Sequence, residues 1–228
     1  MARTVDRAAH SLRRDAFIDA AQSMIATRGY EQLSVQDVLD ATDASKGAFY
    51  HYFDSKADLL EAVVERMTNG VLVDVAPFIA DPSVPAIEKL QGLFGRIASW
   101  KNARKELLRG LIETWYSDEN IVVREKFKRD VSRRLEPVLA QIIEQGNAEG
   151  TFSAGSPQRS AEVLVTLLLG LNDRAGRLYL DRHAGRISFE EVEAAFGFYD
   201  AIFGRVLGVP AGQLSLVDQS DVDLREWF

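Results

Sequence analysis

The sequence contains no cysteine. Disulfides, thiolate metal sites and cysteine nucleophiles are therefore excluded. Histidine is nearly as scarce: His10, His51 and His183 are the only ones among 228 residues, too few for a His-based metal site. No Gly-x-Ser-x-Gly elbow, phosphate loop or EF-hand loop is present, which removes the common sequence marks of a hydrolase, a nucleotidase or a calcium binder. No apolar run approaches the ~18 residues of a membrane span. The Met-Ala-Arg-Thr start lacks the apolar core of a secretory signal, so a cytoplasmic location without membrane contact is expected. Only six prolines and few alternating β-branched runs leave little to interrupt helices, and an all-α fold is expected. Excess positive charge is also lacking. The net charge is −7, and residues 1–56 carry seven Lys and Arg against eight Asp and Glu. Any binding to nucleic acid must then depend on where charges point, not on bulk attraction.

What is present begins with helix signals. Phe17, Ala20, Ala21, Met24 and Ile25 share one helical face, within a helix expected from Ser11 to Arg28 and stopped at Gly29. Ser34 with Asp37 forms a capping box for a short second helix, whose inner side is Val35, Val38 and Leu39. Thr42-Asp43-Ala44 makes a tight turn, and Ser45 caps a third helix. Ser55 and Asp58 repeat the cap pattern and open a longer fourth helix with Leu59, Leu60, Val63, Val64 and Met67 inward. Three short helices ahead of a long one describe a helix-turn-helix unit on a connecting helix.

The remainder reads as a larger helical bundle. It breaks at Asp81-Pro82 and Pro85, after which Ile87, Leu90, Phe94 and Ile97 form the stripe of one helix, with further helices at about Lys105–Tyr116, about Asn120–Ala148 and from Ser156-Pro157 to about Arg182. A last helix opens on the Ser188/Glu191 capping box and runs to about Leu207. The expected organisation is a DNA-binding domain over 1–56, with the helix-turn-helix at Ser34–Phe53, a bundle over 57–208 and an extension over 209–228. That makes about nine helices in all.

Ser45–Phe53 reads Ser-Lys-Gly-Ala-Phe-Tyr-His-Tyr-Phe. A cation, a glycine, a small side chain and several rings on about two turns suit a helix pressed into the DNA major groove. A surface helix with an aromatic core stripe is the alternative for this stretch taken alone. Ser34 and Ser45 are caps first, and Ser34 is also placed to meet a phosphate. Lys46 and Lys56 are candidates for phosphate contacts. Gly47 and Ala48 permit close approach, and Tyr50, His51 and Tyr52 reach toward phosphates, with a base edge open to Tyr50 and a core position as the alternative for Tyr52. Arg3, Arg7 and Arg13 are candidates for a groove-reaching arm.

Taken together, Ala20-Ala21, Arg28-Gly29-Tyr30, Ser34-Val35-Gln36-Asp37-Val38, Ser45–Phe53 and Ser55-Lys56-Ala57-Asp58-Leu59-Leu60 resemble a TetR-type transcriptional regulator. Gly146 and Gly150-Thr-Phe152 resemble the end of that family's long seventh helix. Asp43-Ala44 stands where the family usually shows Gly-Val, and Ala48 where many members carry Thr or Ser. The resemblance implies a homodimer that binds double-stranded DNA at a palindromic operator and represses transcription, with a small ligand in the bundle controlling it.

Two further groups follow from the residues themselves. Val163–Leu171 is apolar nearly all round, so one face is expected to meet a second subunit. Leu164, Leu168, Leu171, Phe196, Tyr199 and Phe203 are the interface candidates, with full internal burial as the alternative. Phe78, Phe94, Trp100, Trp115 and Tyr116 are pocket candidates for a largely apolar effector, with Asn172 or Arg174 meeting one polar group. Ordinary core packing and an Asp173–Arg177 helix pair are the alternatives there. No cofactor, metal or catalytic group is expected. A regulator without ligand sensing, an activator and, more remotely, a helical-bundle enzyme remain as other readings.

Overall fold

The computed structural model describes residues 7–210, 212–215 and 227–228. Among them are nine α-helices: α1 (Arg7–Arg28), α2 (Val35–Thr42), α3 (Lys46–Tyr50), α4 (Lys56–Ala80), α5 (Ala86–Asn102), α6 (Lys105–Trp115), α7 (Ile121–Glu149), α8 (Pro157–His183) and α9 (Phe189–Leu207). A single 3-10 turn, Asp118–Asn120, precedes α7, and no strand occurs among the described residues. The fold is all-α.

The starts of these helices follow from their caps. Ser34 accepts from the Asp37 N–H while Asp37 accepts from the Ser34 N–H, a reciprocal box. Ser188 and Glu191 make the same exchange at α9. Ser45 caps α3 through the Ala48 N–H, and Ser156 caps α8 with Pro157 in its first turn. Ser55 accepts from the Asp58 N–H at α4, but the Asp58 carboxylate turns to the Asp54 N–H. Pro77 and Pro137 lie inside α4 and α7.

The chain forms two compact units. The first contains residues up to Asn69 together with Arg104–Phe127, and the second contains Gly70–Ala103 and Lys128–Phe228. The residue-56 boundary expected from the sequence falls inside the first unit, because α6 packs on α1. Gly110 is the reason. A Cβ there would lie 2.0 Å from the Ile25 carbonyl oxygen, so only glycine lets the two helix backbones meet. The Tyr30 N–H donates to the Gly110 carbonyl at 3.1 Å, and Leu107 and Leu111 join the same core.

The second unit has its own core, centred on Leu90, Leu93, Leu139, Ile143, Leu164 and Phe203. At the end of α7, the Thr151 and Phe152 N–H groups both donate to the Gly146 carbonyl at 3.0 Å. The Phe152 ring folds onto Gly146, where a Cβ would sit 2.1 Å from it. That contact is the physical content of the Gly-Thr-Phe pattern in the sequence. Of the extension, Val209 and Leu214 are buried, and Phe228 packs near Tyr179 and Phe196. Most of the rest of the extension lies outside the described residues.

Candidate DNA-binding surface

A five-residue helix cannot hold itself in water, so α3 must be held by its neighbours. Phe49 does this. It is fully buried, edge-on to Phe17 of α1 at 5.6 Å, with Phe53 5.5 Å away. Phe17 also meets Phe53 edge-on at 6.2 Å. The turn before α3 depends on Asp43, in the left-handed region at φ 45°, ψ 49°. It is the one non-glycine residue with positive φ among those described. The departure from glycine is accommodated because a short polar side chain tolerates this conformation. Arg13 Nη2 donates to the Asp43 carbonyl at 3.2 Å, tying α1 to the turn. Arg13 therefore has a structural task. Arg3 and the side chain of Arg7 lie outside the described residues.

With its back face anchored, α3 turns Ser45, Lys46, Gly47, Tyr50 and His51 to solvent. Tyr50 is 45% exposed, large for an aromatic side chain. Lys46 Nζ stands 6.0 Å from the Tyr50 ring, so cation and ring share one patch. A Cβ on Gly47 would meet nothing within 4 Å. The glycine is thus not demanded by packing within the chain. Ala48 is partly buried and Tyr52 packs against Phe17 and His10.

Two of the candidate residues are engaged by the protein itself. Ser34 Oγ donates to Asp37 Oδ2 at 2.5 Å. The bonds from Ser34, then Arg28 at 3.1 Å, hold the Asp37 carboxyl below its ordinary range. Lys56 Nζ lies over the Tyr30 ring at 4.1 Å and reaches the Glu31 carbonyl at 3.5 Å. Burial pulls the Lys56 ammonium below its ordinary pKa, and burial together with Glu31 and Glu119 pushes the Tyr30 hydroxyl up to about 12.

His10 belongs to this surface and sequence reasoning missed it. Its ring is 5.5 Å from His51 and 4.6 Å from Tyr52. A histidine one turn inside an N-terminal helix carries no local signal. Only the packing of α1 on α3 brings it there.

The remaining candidates divide between the units. Trp115 and Tyr116 belong to the first, where Trp115 meets Phe127 edge-on at 5.2 Å. Phe78, Phe94, Trp100, Asn172 and Arg174 belong to the second. Phe78 covers Gly92 and stacks under Arg96 at 4.6 Å, Phe94 is edge-on to Phe203 at 5.5 Å, and Arg174 is exposed. Asp173 pairs with Lys128 at 2.9 Å, across to α7.

Of the interface candidates, Leu164 and Phe203 are corrected. Both are fully buried in their own chain's core and have no free side-chain surface to offer a second copy. Leu168, Leu171, Phe196 and Tyr199 are half-buried. On α8 and α9 the exposed large apolar residues among those described are Val163 at 47% and Phe198 at 63%. With Gly170, Ala194, Gly197 and Ala201, they lie on the open faces of the packed pair α8 and α9.

A short helix pinned by one buried ring and presenting a cation, a glycine and a tyrosine defines a helix-turn-helix protein. Residues 17–63 match the family described as bacterial regulatory proteins, tetR family. The chain is 30% identical to the transcriptional regulator AcuR of Cereibacter sphaeroides over 149 residues, covering 63% of this chain and 67% of that one. It is 27% identical to the transcriptional repressor DhaR of Mycobacterium sp. strain GP1 over 153 residues, 67% of this chain and 76% of the relative. Its fold matches that of RolR, solved in complex with resorcinol, with a TM-score of 0.62 at 16% identity, over 91% of this chain and 93% of RolR. The chain belongs to the TetR family of DNA-binding transcriptional regulators. These curated relatives are regulators of transcription. Among the described residues, no helix is long and apolar enough to cross a membrane, and no group of three or more His, Asp or Glu is placed to hold a metal ion.

Proposed function

We propose that this protein is a ligand-responsive repressor that binds a palindromic operator as a homodimer. The exposed patch of Lys46, Gly47 and Tyr50 on a helix pinned from behind by Phe49 carries this reading. Lys46 and His51 contact phosphates. The absent side chain at Gly47 lets the backbone approach, and Tyr50 reaches a base edge or a phosphate. Ser34, Ser45 and Tyr52 position the unit, and Lys56, seated on Tyr30, lies beside it as a second phosphate contact. The net negative charge of the chain lowers non-specific attraction, so affinity rests on these placed contacts.

The homodimer is supported by the open faces of α8 and α9. Val163, Phe198 and the small residues around them are what a self-complementary face across a two-fold axis requires. Two copies then offer two recognition helices to an inverted repeat. Control by a ligand in the second unit is supported by its aromatic and polar candidates there, Phe78, Phe94, Trp100 and Asn172. A ligand releases DNA only if it binds the non-DNA conformation more tightly.

A gel shift with DNA upstream of the protein's own coding sequence, with and without pooled metabolites, tests this. Retardation that metabolites reverse is expected. No retardation over unrelated DNA refutes the repressor reading, and retardation that no metabolite or fraction reverses refutes ligand control.

A further inference from the structure

Lys101 stands in the last turn of α5. A lysine there is favoured by the helix dipole when its side chain runs out to water. This one turns inward instead, and Nζ donates to Asn172 Oδ1 of α8 at 2.9 Å. Protein surrounds the ammonium, and burial alone pulls its pKa below the ordinary lysine value. The residue as a whole keeps partial access, so the group is deep without being sealed.

The carboxylate next in sequence to Asn172 is engaged elsewhere: Asp173 pairs with Lys128. At position 172 the chain carries an amide, which accepts a hydrogen bond from an ammonium but cancels none of its charge. Among the described residues, no carboxylate pairs with Lys101. Lys89 shows the contrast. It is also buried and also donates to a side-chain amide, here Gln145 Oε1 at 2.9 Å. There Glu149 lies directly behind, accepting from Gln145 at 2.6 Å, and the two charges feel each other.

A withdrawn cation without an anion is disfavoured, and an apolar residue of similar size would serve the fold better. The arrangement is sensible if the anion arrives from outside. We infer that Lys101 and Asn172 form the polar end of an effector site and that the effector is an organic anion, its carboxylate or similar oxyanion accepting from Lys101 Nζ. This rests on the reading of the chain as a ligand-responsive regulator. It makes the one polar group expected of a largely apolar effector an anionic one. Trp100, buried next to Lys101 in sequence and packed against Gly70, is the natural optical reporter.

The test is a tryptophan-fluorescence titration of the full chain with butanoate, octanoate, dodecanoate and benzoate, each beside its alcohol. At least one acid is expected to bind about ten-fold or more tightly than its alcohol, the scale of a charge-assisted hydrogen bond. Lys101→Arg should keep that preference. Lys101→Met should lose it, and so should Asn172→Asp, which supplies an internal counter-ion. Both of these variants should melt no lower than the parent. The inference is overturned if no acid binds, if acids and alcohols bind alike, or if Asn172→Asp keeps the preference. The regulatory reading fails separately, when the parent does not bind operator DNA, whatever the titration shows.

Discussion

Phe49 of α3 meets Phe17 of α1 edge-on, with ring centroids 5.6 Å apart and planes at 82°. Everything the surface offers to DNA depends on this contact, because α3 is too short to hold its own shape. Phe49→Ala should cost about 3–5 kcal/mol, the range for deleting a buried ring. Operator binding should fall with it. Chemical denaturation read beside a gel shift checks both. A variant that unfolds with the parent's midpoint contradicts the anchoring role.

Lys46 and Lys56 are expected to separate. Lys46 is exposed, so Lys46→Ala should leave stability nearly unchanged and reduce the salt slope of DNA binding by about one unit. Lys56 lies 4.1 Å from the centre of the Tyr30 ring. Lys56→Ala should therefore also lower the melting temperature, by the loss of a contact of roughly 0.5–2 kcal/mol. Equal melting of both variants with the parent would show that the Lys56–Tyr30 contact contributes nothing.

Gly110→Ala forces a Cβ to within 2.0 Å of the Ile25 carbonyl oxygen, a backbone atom that cannot rotate away. The two helices must part, at a cost of about 1–3 kcal/mol. Thermal melting checks the size. The change is far in sequence from the DNA-contacting residues, so weakened DNA binding in this variant would trace to the packing of α1.

Asp37 ties stability to acid. Its folded pKa lies below the ordinary value through the Ser34 hydrogen bonds and Arg28. A depressed carboxyl contributes stability fully above the unfolded value of about 3.9 and loses it as the pH falls through the lower folded value. Asp37→Asn should therefore melt below the parent at neutral pH, with the gap closing in strong acid. A gap that is constant with pH would contradict the ion-pair and capping account.

The dimer proposal predicts that Phe198→Glu costs a monomer nothing, since the side chain is 63% exposed. In a dimer it buries an unpaired carboxylate, which is strongly unfavourable. Sedimentation should show the parent as a dimer and the variant as a well-folded monomer. A dimeric variant places the interface elsewhere.

The helix starts were legible because their signals are local. Ser34 with Asp37, Ser45, Ser156-Pro157 and Ser188 with Glu191 announce themselves within four residues, and each cap is formed. The recognition segment was legible for the same reason, its mixture of residues being unusual at short range. Long-range packing left no such mark. Nothing near Gly110 in the sequence shows that it touches Ile25. Nothing near Lys56 shows that it rests on Tyr30. The apolar run of α8 signals that two faces are covered but not which residue lies on which, and it is Leu164 that is buried and its neighbour Val163 that is exposed. Nothing near Lys101 in the sequence shows that its side chain turns toward Asn172.

The central claim is that the exposed face of α3 binds operator DNA. Fluorescence anisotropy across a salt series measures it directly, comparing parent and Lys46→Ala on labelled DNA from upstream of the protein's own coding sequence and on a scrambled duplex. The account predicts saturable binding by the parent that favours the upstream DNA, with Lys46→Ala weaker and its salt slope shallower by about one unit. Parent and variant curves that superimpose on the upstream DNA at every salt concentration would contradict it.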